Sequence, residues 1–293
     1  MTSPTAALEH RAALSPGRRL RALVRVTALL CGLVFPSLAL TTEEARNLVE
    51  EANALFRQAN ELSARDPNAA VELYQRAALR YERIARDGRI RNGKLFYNLG
   101  NVYFSAQDIG RAILNYRRAE LYMPGDVNLR RNLDYARRRR QDRFEEKQET
   151  RVLRTLLFWH FDFPVGVRLV LLTVFSGVFW SLLALRTLLP NRAPRAALVI
   201  VGLIAALLCG SAVAEAAGLG RSVTGVLLAP EVVARKGDAE SYEPSFTEPL
   251  HAGAEFELLE DRNGWYRIEL PDGRECWIPR QSAAVVEAPS ARQ

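Results

Sequence analysis

Cysteine and histidine are scarce in this chain, with three of each among 293 residues. The cysteines lie far apart, in an N-terminal leader, in an apolar run and near the C-terminus, so a disulfide framework is excluded. The histidines, His10, His160 and His251, lie in unrelated segments without the spacing of metal ligands. Phosphate-binding loops, nucleophile elbows and dinucleotide-binding glycine turns are also lacking. The sequence therefore predicts no enzyme, no metal site and no cofactor.

Acidic residues are fewer than basic ones, and the formal net charge is +7. The basic excess lies in the leader, in the four arginines at 137–140 and in a short loop between two apolar runs. No basic face with interleaved aromatic residues is present, so we expect no nucleic-acid partner. We expect the arginines at 137–140 to form a solvated helix end that leads towards the membrane surface.

Eight residues between Gly93 and Pro124 fall at the spacing of a helical-hairpin repeat of about 34 residues. They are Phe96, Leu99, Gly100, Tyr103, Ala112, Tyr116, Ala119 and Pro124. Gly100 and Ala112 allow two antiparallel helices to approach closely, and Pro124 ends the second helix. The segment 93–126 therefore resembles a tetratricopeptide repeat, a module that binds segments of other proteins.

The flanks of this repeat supply the neighbours that it needs to bury its apolar faces. Upstream, Ala77, Tyr81 and Ile84 repeat the second-helix pattern after a predicted helix over 42–64. Downstream, an apolar stripe predicts a closing helix, and its residues are Leu129, Leu133 and Ala136. We therefore expect an all-α repeat domain over 42–145. The alternative is an ordinary helical bundle without a ligand.

The first helix of the central repeat carries the candidate protein-binding residues. We expect Lys94, Asn98, Asn101 and Ser105 on its concave side, where they offer hydrogen bonds to a peptide backbone or to a terminal carboxylate.

Two long apolar runs, 165–188 and 196–216, are each long enough to cross a bilayer core. Buried core helices are the alternative, but apolarity on all faces over such lengths argues against it. Arg168 lies in the first turn of the first run, and we expect its side chain to reach the interface. Aromatic residues at 158–163 predict a belt at the outer membrane interface. A proton relay of His160 and Asp162 is disfavoured there, because such relays lie within a bundle.

The loop 186–195 between the runs carries three arginines and no acidic residue, which places it in the cytoplasm and both flanking domains in the periplasm. The leader 1–39, basic and then apolar, resembles a bacterial secretory signal peptide with cleavage after Ala39. If it stays uncleaved, it becomes a third span of the same orientation. Lys147, Arg151 and Arg154 favour the opposite orientation, but long domains translocate largely regardless of charge. The chain is therefore expected in a bacterial inner membrane.

Residues 221–287 carry the alternating pattern of strands. Phe256 alternates with glutamates, and the Asn263-Gly264 pair predicts a tight turn before a second strand. The phrases Gly264-Trp265 and Asp272-Gly273-Arg274 resemble a bacterial SH3-like domain, although Cys276 stands where that family usually has glycine. In such a small all-β barrel an aromatic groove can hold an extended peptide or a cell-wall stem.

The candidate groove residues of the barrel are Tyr242, Trp265 and Trp277. The alternative is that both tryptophans only complete a small core, since a barrel of this size needs large side chains to bury enough area.

The order of segments, export signal, helical repeats, two spans and barrel, resembles the BatE family of bacterial aerotolerance operons. The stretches 96–104, 110–119 and 124–126, with Asn132-Leu133, look like that family's central segment. The resemblance implies membrane partners with von Willebrand factor A domains and a MoxR-type ATPase, in a complex linked to oxidative or envelope stress.

From these features we expect a non-enzymatic membrane-anchored scaffold. The first alternative is a peptidoglycan-binding protein that acts through the barrel. The second, an enzyme or transporter subunit, is disfavoured because the two spans offer no polar pathway.

Overall fold

A computed structural model describes residues 40–88, 90–145, 147, 152, 155–161, 163, 165–188, 195–217 and 222–286. This part of the chain is rich in helix and ends in a small antiparallel sheet. The predicted signal peptide, 1–39, lies outside the described residues, as do Arg151, Arg154, Asp162 and Arg192.

The first half of the described chain is a series of helices that turn back on one another. They are α1 (Thr42–Leu62), α2 (Pro67–Asp87), α3 (Gly93–Ser105), α4 (Ile109–Tyr122) and α5 (Val127–Arg139). Each begins at a residue whose side chain accepts a hydrogen bond from a backbone N–H of the first turn. These caps are Thr41, Asp66, Asn92, Asp108 and Asp126. Such caps satisfy backbone donors that a helix end leaves unpaired, so the sequence fixes where each helix starts.

Small residues allow these helices to pack closely. Ala52, Ala77 and Ala112 are fully buried where neighbouring helices meet. A Cβ atom on Gly100 would lie only 2.5 Å from Cδ1 of Tyr116. The Tyr116 ring therefore lies directly against Gly100, and α3 and α4 approach closely at this position as predicted.

Within the described ranges, two helices are long and apolar enough to cross a membrane, α7 (Val165–Leu188) and α8 (Arg195–Ala216), after a short helix α6 (Phe158–Phe161). They match the predicted apolar runs to within one residue. The Arg168 side chain is 4% exposed and forms an ion pair with Glu215 of α8. Its Nη1 also donates to Ser211 Oγ at 2.8 Å. A guanidinium on an apolar helix is stabilised by a nearby carboxylate.

The C-terminal segment forms strands β1 (Val223–Leu227), β2 (Glu231–Val232), β3 (Leu250–His251), β4 (Glu255–Arg262), β5 (Trp265–Glu269), β6 (Glu275–Pro279) and β7 (Ala283–Val285). Five of them form a sheet with the order β6-β5-β4-β1-β7, and β2 and β3 form a separate two-stranded pair. Asn263 and Gly264 join β4 to β5 with φ values of 53° and 80°. Those angles are typical of a tight hairpin turn, as the Asn-Gly pair predicts.

The sheet packs against the end of the helical series. A Cβ atom on Gly110 of α4 would lie 2.8 Å from the carbonyl oxygen of Leu227, so glycine permits this approach. Val226 of β1 and Val286 belong to the same buried apolar cluster as the helices.

An ion cluster joins the same two parts and corrects the expectation of a solvated arginine run. Glu255 of β4 accepts from Nε and Nη2 of Arg137, both at 2.8 Å, and from Nη1 of Arg140 at 3.3 Å. Nε of Arg117 lies 3.4 Å from Oε1 of Glu255. Of the four arginines, Arg137 and Arg140 therefore pair with the sheet, because the sheet places a carboxylate beside them.

Burial by itself raises the pKa of Glu255, but hydrogen bonds from Arg137 and the charges of Arg117 and Arg140 outweigh that effect. The pKa of Glu255 is therefore below its ordinary value, and the carboxylate stays charged at neutral pH.

Candidate protein-binding groove

The predicted binding face contains a cleft of about 250 Å³, which we call the helical groove. Alternate helices, α1, α3 and α5, supply most of its wall. Its lining residues are Phe56, Asn101, Phe104, Ser105, Tyr116, Asn132 and Tyr135. Amide and hydroxyl groups thus lie beside aromatic rings, and the ring centres of Phe104 and Tyr135 are 5.4 Å apart. Such a surface can hydrogen-bond a peptide backbone and also pack against apolar side chains.

The four predicted groove residues occupy different environments. Asn101 and Ser105 line the helical groove. Lys94 is exposed near the start of α3, outside that cleft. Asn98 is half-buried beside the Tyr81 hydroxyl of α2, which donates its own hydrogen bond to Asn53 Oδ1 at 2.7 Å. Their role in binding a partner stays a prediction.

Asn101 also holds the helices together. Its Oδ1 accepts from the Tyr116 hydroxyl at 2.8 Å and from Asn132 Nδ2 at 3.0 Å. Asn132 Nδ2 additionally lies 3.0 Å from the Tyr97 hydroxyl oxygen, to which it donates. Burial raises the pKa of Tyr116, and the neighbouring Tyr97 raises it further, so the phenol remains a neutral donor. This network links α3, α4 and α5 at the base of the groove.

Sequence reasoning missed Phe56, Phe104, Asn132 and Tyr135 as groove residues. A signal existed for two of them, because Asn132 and Tyr135 follow Asn98 and Asn101 by one repeat length of about 34 residues. The other two aromatic residues carry no comparable signal, since they fit equally well as ordinary core positions.

The three candidate groove residues of the sheet domain lie in different environments. Trp277 is 8% exposed, and the guanidinium carbon of Arg262 lies 4.9 Å from its ring centre. Tyr242 is exposed and lies over Gly237, where a Cβ atom would meet its ring. Trp265 borders a cleft of about 640 Å³, with Glu240, Tyr266, Arg280 and other residues.

Two histidines acquire polar partners that the sequence did not predict. His251 Nδ1 lies 2.7 Å from Asp142 Oδ1, and the His251 backbone N–H donates to Asp142 Oδ2 at 2.7 Å. His160 Nδ1 lies 2.8 Å from Ser211 Oγ and 3.0 Å from Arg168 Nη1. Among the described residues, no group of three or more His, Cys, Asp or Glu side chains is placed to hold a metal ion.

Searches of protein-family models, of curated proteins and of solved structures returned no match to this chain. The resemblances to tetratricopeptide repeats, to SH3-like domains and to the BatE family thus rest on the residue phrases and on the order of segments.

Proposed function

We propose that this chain is a non-enzymatic membrane-anchored scaffold. Its helical domain, of tetratricopeptide type, holds a segment of a partner protein in the helical groove, beside an SH3-like barrel. The partners are von Willebrand factor A membrane proteins and a MoxR-type ATPase system, in a Bat-type complex linked to oxidative or envelope stress. That part of the proposal rests on the order of segments.

The observation that carries the proposal is the composition of the groove. Amides of Asn101 and Asn132 lie next to the rings of Phe56, Phe104 and Tyr135. Specific peptide sites combine hydrogen bonds to the backbone with apolar contacts to side chains. The sheet contributes no residue to this lining among those described, so its packing leaves the groove accessible.

We further propose an inner-membrane location with both folded parts in the periplasm. Two spans in succession return the chain to the side from which it started, and the contact of Glu255 with Arg137 is compatible with a shared side. Arg186 and Arg195 at the far ends of α7 and α8 favour a cytoplasmic loop.

A groove-blocking variant tests the scaffold. Ser105→Arg places a long charged side chain in the groove without removing a hydrogen bond of the network at Asn101. Gln75→Arg is the matched control, because it adds the same side chain at an exposed position of α2 outside every cleft described above.

The measurement is affinity purification of the tagged, solubilised protein from its native host, followed by mass spectrometry. We expect von Willebrand factor A proteins and a MoxR-type ATPase with the wild type and with Gln75→Arg, and at least a tenfold smaller yield with Ser105→Arg. Equal recovery by both variants would contradict binding in the groove.

Peptidoglycan binding by the barrel is the second candidate function, and the cleft beside Trp265 favours it. Aromatic side chains with charged neighbours are suited to sugars and to short wall peptides. Co-sedimentation of the full chain with purified cell wall, lost in Trp265→Ala and kept in Ser105→Arg, would move the function to the barrel.

A further inference from the structure

A second cleft, of about 440 Å³, lies between α2, α3, α4 and the sheet, and we call it the arginine cleft. Its described lining shares no residue with the helical groove. It lies within the volume range of ligand sites, and residues from both folded parts form it. The lining residues are Glu82, Ala85, Arg86, Arg91, Phe96, Leu99, Arg111, Leu114, Asn115, Arg118, Tyr122, Leu228 and Ala284.

The floor of the arginine cleft is apolar. Leu99 and Leu114 are buried, and the rings of Phe96 and Tyr122 stack with centres 5.8 Å apart. Leu228 adds an apolar side chain from the sheet side. A ligand with an apolar group fits this floor best, because contact between the two removes apolar surface from water and so favours binding.

The rim of the cleft is strongly basic, with four arginines and one glutamate. Glu82 accepts a hydrogen bond from the Tyr103 hydroxyl, which already uses part of its acceptor capacity. Arg111 pairs with Asp108 and Arg86 with Asp87, both at 2.9 Å. A guanidinium carries five N–H donors, so one such pair leaves donors for a ligand.

Arg118 connects the rim to the floor. Its guanidinium carbon lies 6.0 Å from the ring centre of Phe96, and its Nη2 lies 3.5 Å from the carbonyl oxygen of Val285 in β7. A positive charge is thus held above an aromatic ring at the edge of the sheet. This arrangement favours a carboxylate whose neighbouring side chain packs on the ring.

Asn115 distinguishes between kinds of anion. Its side chain is 3% exposed, and Nδ2 donates to the Arg111 carbonyl oxygen at 2.8 Å. Its Oδ1 is buried at the cleft with no hydrogen-bond donor among the described residues. Buried acceptors normally have a donor, so a ligand that brings N–H groups fits better than a purely oxygen-rich anion.

We propose that the arginine cleft binds a short acidic peptide segment of a partner protein, with an aromatic or aliphatic side chain between its carboxylates. The carboxylates pair with the arginines of the rim, the apolar side chain covers Phe96 and Leu114, and backbone N–H groups face Asn115. This site is independent of the helical groove and of its proposed ligand.

The test uses the solubilised full chain and a fluorescein-labelled pentapeptide with a central phenylalanine between two pairs of acidic residues. Its counterpart carries the matching amides. We expect saturable binding of the acidic peptide by fluorescence anisotropy, at least tenfold weaker binding of the amide peptide, and a loss of affinity with added salt. Equal binding of the two peptides would overturn the proposal.

Two variants locate the binding. The double variant Arg91→Gln/Arg111→Gln should bind the acidic peptide at least tenfold more weakly. The control double variant Arg76→Gln/Arg130→Gln, with both changes outside the cleft, should bind it as the wild type does. Ala85→Trp fills the cleft without a change of charge and should also abolish binding. Thermal unfolding of each variant identifies any that fails to fold.

The remaining outcomes separate this site from its rivals. We expect the Ser105→Arg variant to bind the acidic peptide as the wild type does. If Ser105→Arg loses binding while Arg91→Gln/Arg111→Gln keeps it, the peptide binds in the helical groove. Citrate and the unlabelled acidic peptide are also compared as competitors of the labelled peptide. If citrate displaces the labelled peptide at as low a concentration as the unlabelled peptide does, the cleft is a site for small anions. Either result would overturn the proposal.

Discussion

At the scale of single residues, Asn101 combines two roles that the sequence could not separate. It lines the helical groove, and it also accepts from Tyr116 and Asn132. A binding defect in an alanine variant of Asn101 would therefore not by itself identify a contact with a partner. Ser105, at the end of α3, lines the same groove and makes a cleaner probe.

Asn101→Ala is expected to lower the free energy of unfolding by about 1–3 kcal/mol, because the buried Tyr116 hydroxyl and the Asn132 amide lose their acceptor. Chemical denaturation of the solubilised protein, followed by circular dichroism, measures the change. Ser105→Ala is the control and should stay within about 0.5 kcal/mol of the wild type. An equal loss in both variants would contradict a special role for the network.

Gly100→Ala should destabilise the helical domain by about 1–3 kcal/mol, since the added methyl group collides with the ring of Tyr116. Gly166→Ala is the matched control, because a Cβ there meets nothing within 4 Å. Melting temperatures of the two variants in the same detergent test the difference, and an unchanged value for Gly100→Ala would show that the ring can move aside.

At the scale of elements, the α7–α8 pair carries a charged connection between two apolar helices. Arg168 pairs with Glu215 and donates to Ser211, and its Nε donates to the Phe163 carbonyl oxygen at 3.1 Å. Apolar side chains alone give little preference for one helix partner in lipid, whereas a charge pair can fix which faces meet. The pair therefore sets the register of the hairpin.

Arg168→Leu alone should weaken the α7–α8 contact strongly, because it leaves Glu215 without its guanidinium partner. The double variant Arg168→Leu/Glu215→Leu should recover much of the loss, since no isolated charge remains. The aggregation temperature in detergent is measured for the wild type, for Arg168→Leu, for Glu215→Leu and for the double variant, which together form a double-mutant cycle. Additive losses would show that the two side chains do not interact.

At the scale of the whole molecule, one carboxylate joins the sheet to the helices. Glu255 is held by Arg137, Arg140 and Arg117. Burial alone raises its pKa, but the arginines outweigh that effect, so its pKa is lowered. A group with a lowered pKa in the folded state stabilises above its unfolded pKa. That stabilisation is lost as pH falls through the folded value.

The contact between sheet and helices should accordingly weaken as the solution is acidified below the ordinary carboxyl range. Hydrogen exchange of β4 and α5 as a function of pH measures it. Glu255→Gln should raise exchange at neutral pH and reduce the acid dependence, whereas Glu257→Gln, exposed on the same strand, should behave as the wild type. The comparison also removes any contribution of His251 with Asp142, which all three proteins retain.

Much of the architecture followed from local patterns. The capping residues, the buried alanines at helical spacing and Asn263-Gly264 each act over a few residues, so their effect can be predicted without a partner elsewhere in the chain. The apolar runs that became α7 and α8 were equally evident, because their length and composition suffice. The helices and the hairpin were therefore determined by the sequence itself.

Only the tertiary structure decided which side chains meet across long separations. Arg137 and Glu255 are 118 positions apart, and Arg168 and Glu215 are 47 apart. No periodicity connects such pairs, since they depend on how whole elements pack. Burial then makes the pairing strong, because a charge removed from water requires an opposite one nearby. For the same reason the arginine cleft, built from three helices and the sheet, exists only in the folded molecule.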